Sequence, residues 1–373
     1  MSDAATYRPA RLWFERGMLV LLPLIVAFVV AAATGARYGL LLLIGLGFGI
    51  VLEGLRFGFA GPWRAMIVNR DPSGLLAQLF AIGLVSVIAI PLITARSTEF
   101  IGAHAPVGFA MLGGAFVFGT AMQVVLGCGS GTLVNAGSGN PVSLLALPFF
   151  AIGSFAGAWH LPWWTALGTA PVVVFRGYSG LALTLLGLIL VATALLFLAD
   201  PARRKVPRRL WIAAALIAAL ALGNLVVAGQ PWGVVYGLGL WAAKGAAAIG
   251  VDLSASTFWA APGNAERVRE TLLTDVTSLT NIGLIGGAFL VAVWRHGFNQ
   301  PIPDLPLRAW VATVVAGLLL GYSSRLAFGC NVGAFFSGVS TGSLHGWAWF
   351  VMAFLGSWLG VQLRPRLGLE GRR

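Results

Sequence analysis

The chain has 373 residues, 58% hydrophobic and only 10% charged, whereas soluble domains carry about 25% charged residues. That excess of apolar surface excludes a soluble globular fold and predicts a chain that faces lipid. The net charge of +12, from 24 basic and 12 acidic residues, does not signal nucleic acid, because the basic residues lie between long apolar runs and form no groove. Two cysteines exclude a disulfide scaffold. The first apolar run is followed by further spans, unlike a cleaved signal peptide.

Runs of about twenty apolar residues predict an all-α polytopic membrane protein. The candidate spans are 17–34, 39–55, 75–94, 107–126, 142–160, 180–199, 209–228, 277–294, 309–325 and 344–362. An eleventh apolar segment, Trp232 to Gly250, carries Lys244 near its middle. An ammonium at mid-membrane costs roughly 3 kcal/mol, so this segment reads as short or re-entrant. Ten spans place the N-terminus, the linker at 200–209 and the tail at 364–373 on one side. That side then holds seventeen of the twenty-four basic residues, which predicts both termini in the cytoplasm. The external loop 251–276 is nearly charge-balanced and predicts a short amphipathic helix. The domain plan is an N-terminal tail with an extra helix (1–38), a first repeat (39–199), a basic linker (200–208), a second repeat (209–362) and a basic tail (363–373).

The repeat rests on an internal echo. Gly127-Cys128-Gly-Ser-Gly131 and Gly329-Cys330-Asn-Val-Gly333 each follow a span and precede a stretch of small residues. Ser138 and Ser340 share one offset from their cysteines, and Gly153 and Gly356 correspond with a shift of one residue. In the ten-span plan Cys128 follows a helix ending inside and Cys330 one ending outside, so the halves are inverted, as in many secondary transporters. Two re-entrant Gly-Cys loops of non-helical backbone would then meet as an hourglass, with a thiol from each half at the waist. Such backbone survives at membrane depth only where protein or a water-filled cavity satisfies it.

Other candidates are plainer. A lone buried cysteine usually acts as a small hydrophobe; the paired context argues otherwise here. Gly45-Leu-Gly-Phe-Gly49 lacks the strand and Gly-Lys-Ser of a nucleotide loop and reads as helix packing. His104, His160 and His296 read as solvated edge residues, whereas His345, in Gly342-Ser-Leu-His-Gly346, is a candidate for lining the pathway. Trp159, Trp163 and Trp164 form an interfacial belt. No paired carboxylates, metal-spaced histidines or Ser-His-Asp set appears, so the chain is read as no enzyme, with no cofactor or metal.

At Leu126–Gly137, Phe328–Gly333 and Gly342–Trp347 the sequence resembles the YeeE/YedE sulfur-transport family of bacterial inner-membrane permeases, over about 39–362. The resemblance implies a monomeric hourglass that imports thiosulfate or a related sulfur anion. Family cysteines that contact the substrate's sulfur carry over to Cys128 and Cys330. A third family cysteine falls on Gly58, within Arg56-Phe57-Gly58, and Ala65 stands in place of an aspartate while Arg64 is retained. That departure is similar to the two-cysteine, SoxT-like branch linked to sulfur oxidation. Neutral thiols would offer weak donors to the soft sulfur, with backbone N–H groups of Gly127, Gly131, Gly329 and Gly333 for the oxygens. Cys330 would meet the anion from outside and Cys128 pass it inward, toward Arg56 and Arg64, which read equally as anion attractors at the inner mouth and as cytoplasmic retention signals. The expected partners are the sulfur anion, the lipid bilayer and a candidate cytoplasmic sulfur-carrier protein. Two other classes stay open: a membrane sensor signalling to a cytoplasmic regulator, and a redox protein that carries sulfur as a persulfide or closes a Cys128–Cys330 disulfide.

Overall fold

The computed structural model describes residues 7–296 and 302–370; the tail arginines Arg372 and Arg373 lie outside them. Every regular element among the described residues is helical. In chain order they are α1 (Tyr7–Thr34), α2 (Ala36–Gly54), α3 (Gly61–Asn69), α4 (Ser73–Ala95), α5 (Phe109–Val125), α6 (Gly129–Gly137), α7 (Pro141–Thr165), α8 (Gly177–Leu198), α9 (Arg208–Ala228), α10 (Val235–Ala248), α11 (Pro262–Arg269), α12 (Val276–His296), α13 (Leu307–Leu326), α14 (Ser337–Ser340) and α15 (Leu344–Arg366). A turn of π-helix, Asn331–Phe336, leads into α14.

Among the described residues ten stretches are long and apolar enough to cross a membrane, each overlapping a predicted span. α10 is not among them. Lys244 near its end donates to the carbonyls of Val268 (2.8 Å) and Glu270 in the following loop. α11 lies in that loop, where the short amphipathic helix was expected. Phe28 of α1 and Phe197 of α8 are 73% and 81% exposed, so these two helices turn broad apolar faces to lipid.

Without α1, α8 and the loop helix α11, the order long–short–long–long–short–long occurs twice. It runs through α2, α3, α4, α5, α6 and α7, then through α9, α10, α12, α13, α14 and α15. Packing follows the same correspondence: α7 lies along α13 as α15 lies along α5, and α2 along α12 as α9 along α4. The helices approach closely because glycines sit at the crossings, the usual device where lipid supplies no hydrophobic drive. A β-carbon at Gly153 would strike the Leu318 carbonyl, and one at Gly356 the Phe116 carbonyl. Gly321 and Gly119 stand against Phe150 and Ala353 in the reciprocal arrangement.

Helix ends gather on two faces. The linker face holds Asp200, whose N–H donates to the Arg70 carbonyl. It also holds Arg295, reaching the Glu53 and Gly54 carbonyls, and Glu370, paired with Arg64. The loop face holds residues 250–275, with Ile101 N–H donating to Gly229 O (3.0 Å) and Arg37 donating to the Val227 and Ala228 carbonyls.

Candidate functional site

The two Gly-Cys segments share one turn before the cysteine, followed by α-helix after Cys128 and by a π-helical turn after Cys330. Leu126 and Phe328, each two residues before its cysteine, are left-handed at φ 53° and 55°. The Gly127 N–H donates to Met122 O (3.2 Å), and the Gly329 N–H to Ser324 O (2.8 Å). Each bond reaches back five residues and stops the long helix. Cys128 and Cys330 are then extended (ψ −168° and −169°) at the N-cap of the next helical segment. An L-residue pays roughly 1–2 kcal/mol for a left-handed conformation, so both halves accept this strain to place a cysteine. The expected non-helical loops are in fact mostly helical. Each is a three-residue turn followed by helix, which satisfies backbone groups internally where no water is available.

Both thiols are free and fully buried. The Cys128 sulfur accepts from the Gly131 N–H (3.4 Å) and lies 3.4 Å from the Ser130 hydroxyl. Cys330 faces the backbone N–H groups of Gly129, Val332 and Gly333. Its sulfur fills the space over Gly129, where a β-carbon would lie 2.8 Å away. The residue after one cysteine therefore abuts the other cysteine. Asn331, directly after Cys330, is 0% exposed, yet neither its side-chain oxygen nor its nitrogen has a hydrogen-bond partner. The Thr132 hydroxyl and the indole N–H of Trp232 are also buried without partners. Buried polar groups are normally paired, so these atoms are free to meet a passing polar guest. Trp232 stacks on Phe48 (3.8 Å between centroids) and meets Phe59 and Phe336 edge-on, forming an aromatic wall.

A cavity opens on each side of the thiols. The loop-face cavity, about 600 Å³, is lined by Gly329, Gly333, Val234, Tyr236, Phe258, Gln230, His104, His345, Arg267 and Arg325. The linker-face cavity, about 470 Å³, is lined by Ser130, Gly131, Leu126, Glu53, Arg56, Gly58 and Phe59. Gly131, Gly329, Gly333 and His345 thus line cavities, as does Arg56. His345 bonds Ser343 through Nδ1 (2.7 Å) and leaves a buried Nε2 without a partner. Gly127 packs on Thr132 instead. Arg64 belongs to neither lining; it pairs with Glu370 beside Arg364, which caps the end of α5 through the Gln123 and Val124 carbonyls.

His104 is half-buried rather than a solvated edge residue. Its Nε2 lies 3.1 Å from the Thr341 carbonyl, and burial followed by nearby Arg176 holds its pKa below the usual histidine value against the raising effect of that bond. Tyr236 is pushed up to about 12, chiefly by burial, and donates to Asn264 (2.9 Å). Sequence reasoning missed Asn331 and Arg325. The available signal was their position, one residue after and five before Cys330.

A family model described as sulphur transport matches residues 55–359, from the Arg56 turn through most of α15. The chain belongs to this sulphur-transport family. It is 26% identical to the thiosulfate transporter TsuA of Spirochaeta thermophila, over 85% of this chain and 96% of that protein. It is 23% identical to TsuA of Escherichia coli, over 87% and 95%. A shorter match, 34% identical over 90 residues, links it to the probable transporter YedE of Escherichia coli; it spans about a fifth of that protein, 22%.

Proposed function

We propose that the protein imports thiosulfate or a closely related sulfur oxyanion across a bacterial inner membrane, through a path on which Cys330 and Cys128 are successive contacts. The observation that carries this reading is the pair of buried thiols, each presented by the same turn, between cavities that open on opposite faces. The basic linker and tail support a cytoplasmic linker face. The odd number of crossings from α2 through α8 supports reading the two series of helices as inverted repeats with re-entrant segments after each cysteine. The names of the full-length relatives support thiosulfate as the substrate.

A dianion crosses hydrocarbon only if the protein replaces its hydration. At the waist a thiol S–H donates weakly to the terminal sulfur. The N–H groups of Gly129, Val332 and Gly333 beside Cys330, and of Gly131 beside Cys128, serve whatever partial charge accompanies it. Weak donors in series suit passage, since a site that bound strongly would not release. The unpaired Asn331 amide adds a donor and an acceptor at the same level. Reconstituted vesicles carrying the protein should accumulate radiolabelled thiosulfate above protein-free vesicles and should not accumulate sulfate, which lacks the soft sulfur. Equal accumulation with and without protein would contradict the reading.

A further inference from the structure

The loop-face cavity holds a cation that the protein leaves uncompensated. Arg325, in the last turn of α13, lies over the Phe258 ring (4.8 Å to the centroid) and beside Tyr236 (5.7 Å). Its Nε is buried without a hydrogen-bond partner, and among the described residues no carboxylate lies within ion-pair distance of it. Its neighbour Arg267 differs, being paired with buried Asp275 at 2.9 Å. Among the described residues no aspartate or glutamate lines this cavity, whereas Glu53 and Arg56 both line the linker-face cavity. A guanidinium held over one ring and beside another keeps its donor edge free, and that planar fork matches paired oxygens. Arg325 shares this cavity with Gly329 and Gly333, which flank Cys330.

We propose that Arg325 recognises the oxygens of the transported anion, gripping its oxygen-bearing end while the terminal sulfur meets Cys330. This inference rests on the transport reading and adds to it a selectivity element that the cysteines lack. Thiols accept any soft sulfur; a guanidinium without a carboxylate demands an oxyanion. Hydrosulfide and neutral sulfur compounds then lack the feature that fills the cavity. Sulfate, which has the oxygens but not the soft sulfur, should bind in the cavity without crossing.

Calorimetric titration of the purified full chain with thiosulfate and with sulfate, run beside vesicle uptake, separates the two claims. Arg325→Gln should weaken both anions about 10- to 100-fold, the scale of a lost charged hydrogen bond. Cys330→Ser should block uptake yet keep sulfate binding. Arg269→Gln, which removes an exposed positive charge on the same face outside this cavity, controls for general electrostatics and should change affinity far less. If Arg325→Gln fails to accumulate, Arg325→Lys decides: it keeps the charge, loses the fork, and should bind severalfold more weakly. Wild-type affinity in whichever Arg325 variant is measured overturns the role of Arg325 while leaving transport standing. A wild-type protein that moves thiosulfate but binds no sulfate also overturns it. Wild-type vesicles that take up hydrosulfide but neither take up thiosulfate nor bind either oxyanion remove both claims.

Discussion

At Gly58 a β-carbon would find only the ring of Pro62, 4.0 Å away, and the backbone is not left-handed there. Positive φ is therefore no reason for glycine at this position. Arg56 is left-handed at φ 52°, two residues before Gly58, and the Phe57 N–H donates five residues back to Leu52 O (2.9 Å). This is the same turn that precedes Cys128 and Cys330, here without a thiol. Gly58→Ala should leave stability within about 0.5 kcal/mol of wild type and uptake unchanged. Gly58→Cys should raise the thiosulfate uptake rate by adding a third soft contact in the linker-face cavity. A fall in rate in the cysteine variant alone would mean that the added side chain narrows the path. His104 gives a pH prediction. Its lowered pKa leaves it neutral at pH 7, and acid below the ordinary histidine range charges it. Protonation would add a positive charge to the cavity proposed to receive a dianion, so the KM for thiosulfate should fall in that window. His104→Gln should abolish the fall; a KM in the variant that tracks pH as in wild type would assign the effect elsewhere.

The long helices were legible because twenty-residue apolar runs have few alternatives, and the cysteine pair because its motif recurs at one spacing. The turns that present the cysteines were not. Left-handed backbone is normally announced by glycine or asparagine, yet here it falls on Leu126, Phe328 and Arg56. Leu126 and Arg56 are exposed, so what the three turns share is the next backbone N–H bonding five residues back, and such a bond leaves no local mark in the sequence. Gly153 and Gly356, matched in the sequence by position alone, prove to be equivalent crossings of α7 on α13 and α15 on α5. Gly356→Ala and its counterpart Gly153→Ala should each force these helices apart and destabilise the protein by about 1–3 kcal/mol. Thermal unfolding in detergent would show this as a lower transition temperature. Gly113→Ala, with open space around its β-carbon, should not lower it.

Across the whole molecule, charge and site diverge in legibility. Counting arginines divides the chain between two sides, but it treats Arg64 and Arg325 as equivalent boundary charges. The fold separates them: Arg64 joins Glu370 and Arg364 at the linker face, while Arg325 faces a cavity without a carboxylate. That difference depends on which elements meet at each helix end, and only the assembled bundle fixes it. The assembly also explains why both cysteines lie beyond solvent: two turns from distant parts of the chain close against each other through Gly129 and Cys330. Uptake of radiolabelled thiosulfate by vesicles containing Cys128→Ser, Cys330→Ser or the double variant bears on the two-thiol path most directly. Serine keeps the size and the turn but offers a harder hydroxyl. Each single variant should reach wild-type levels in the membrane and lose nearly all uptake, with no further loss in the double variant. Single variants that fold and transport at the wild-type rate would contradict the path and return both cysteines to the role of small core residues.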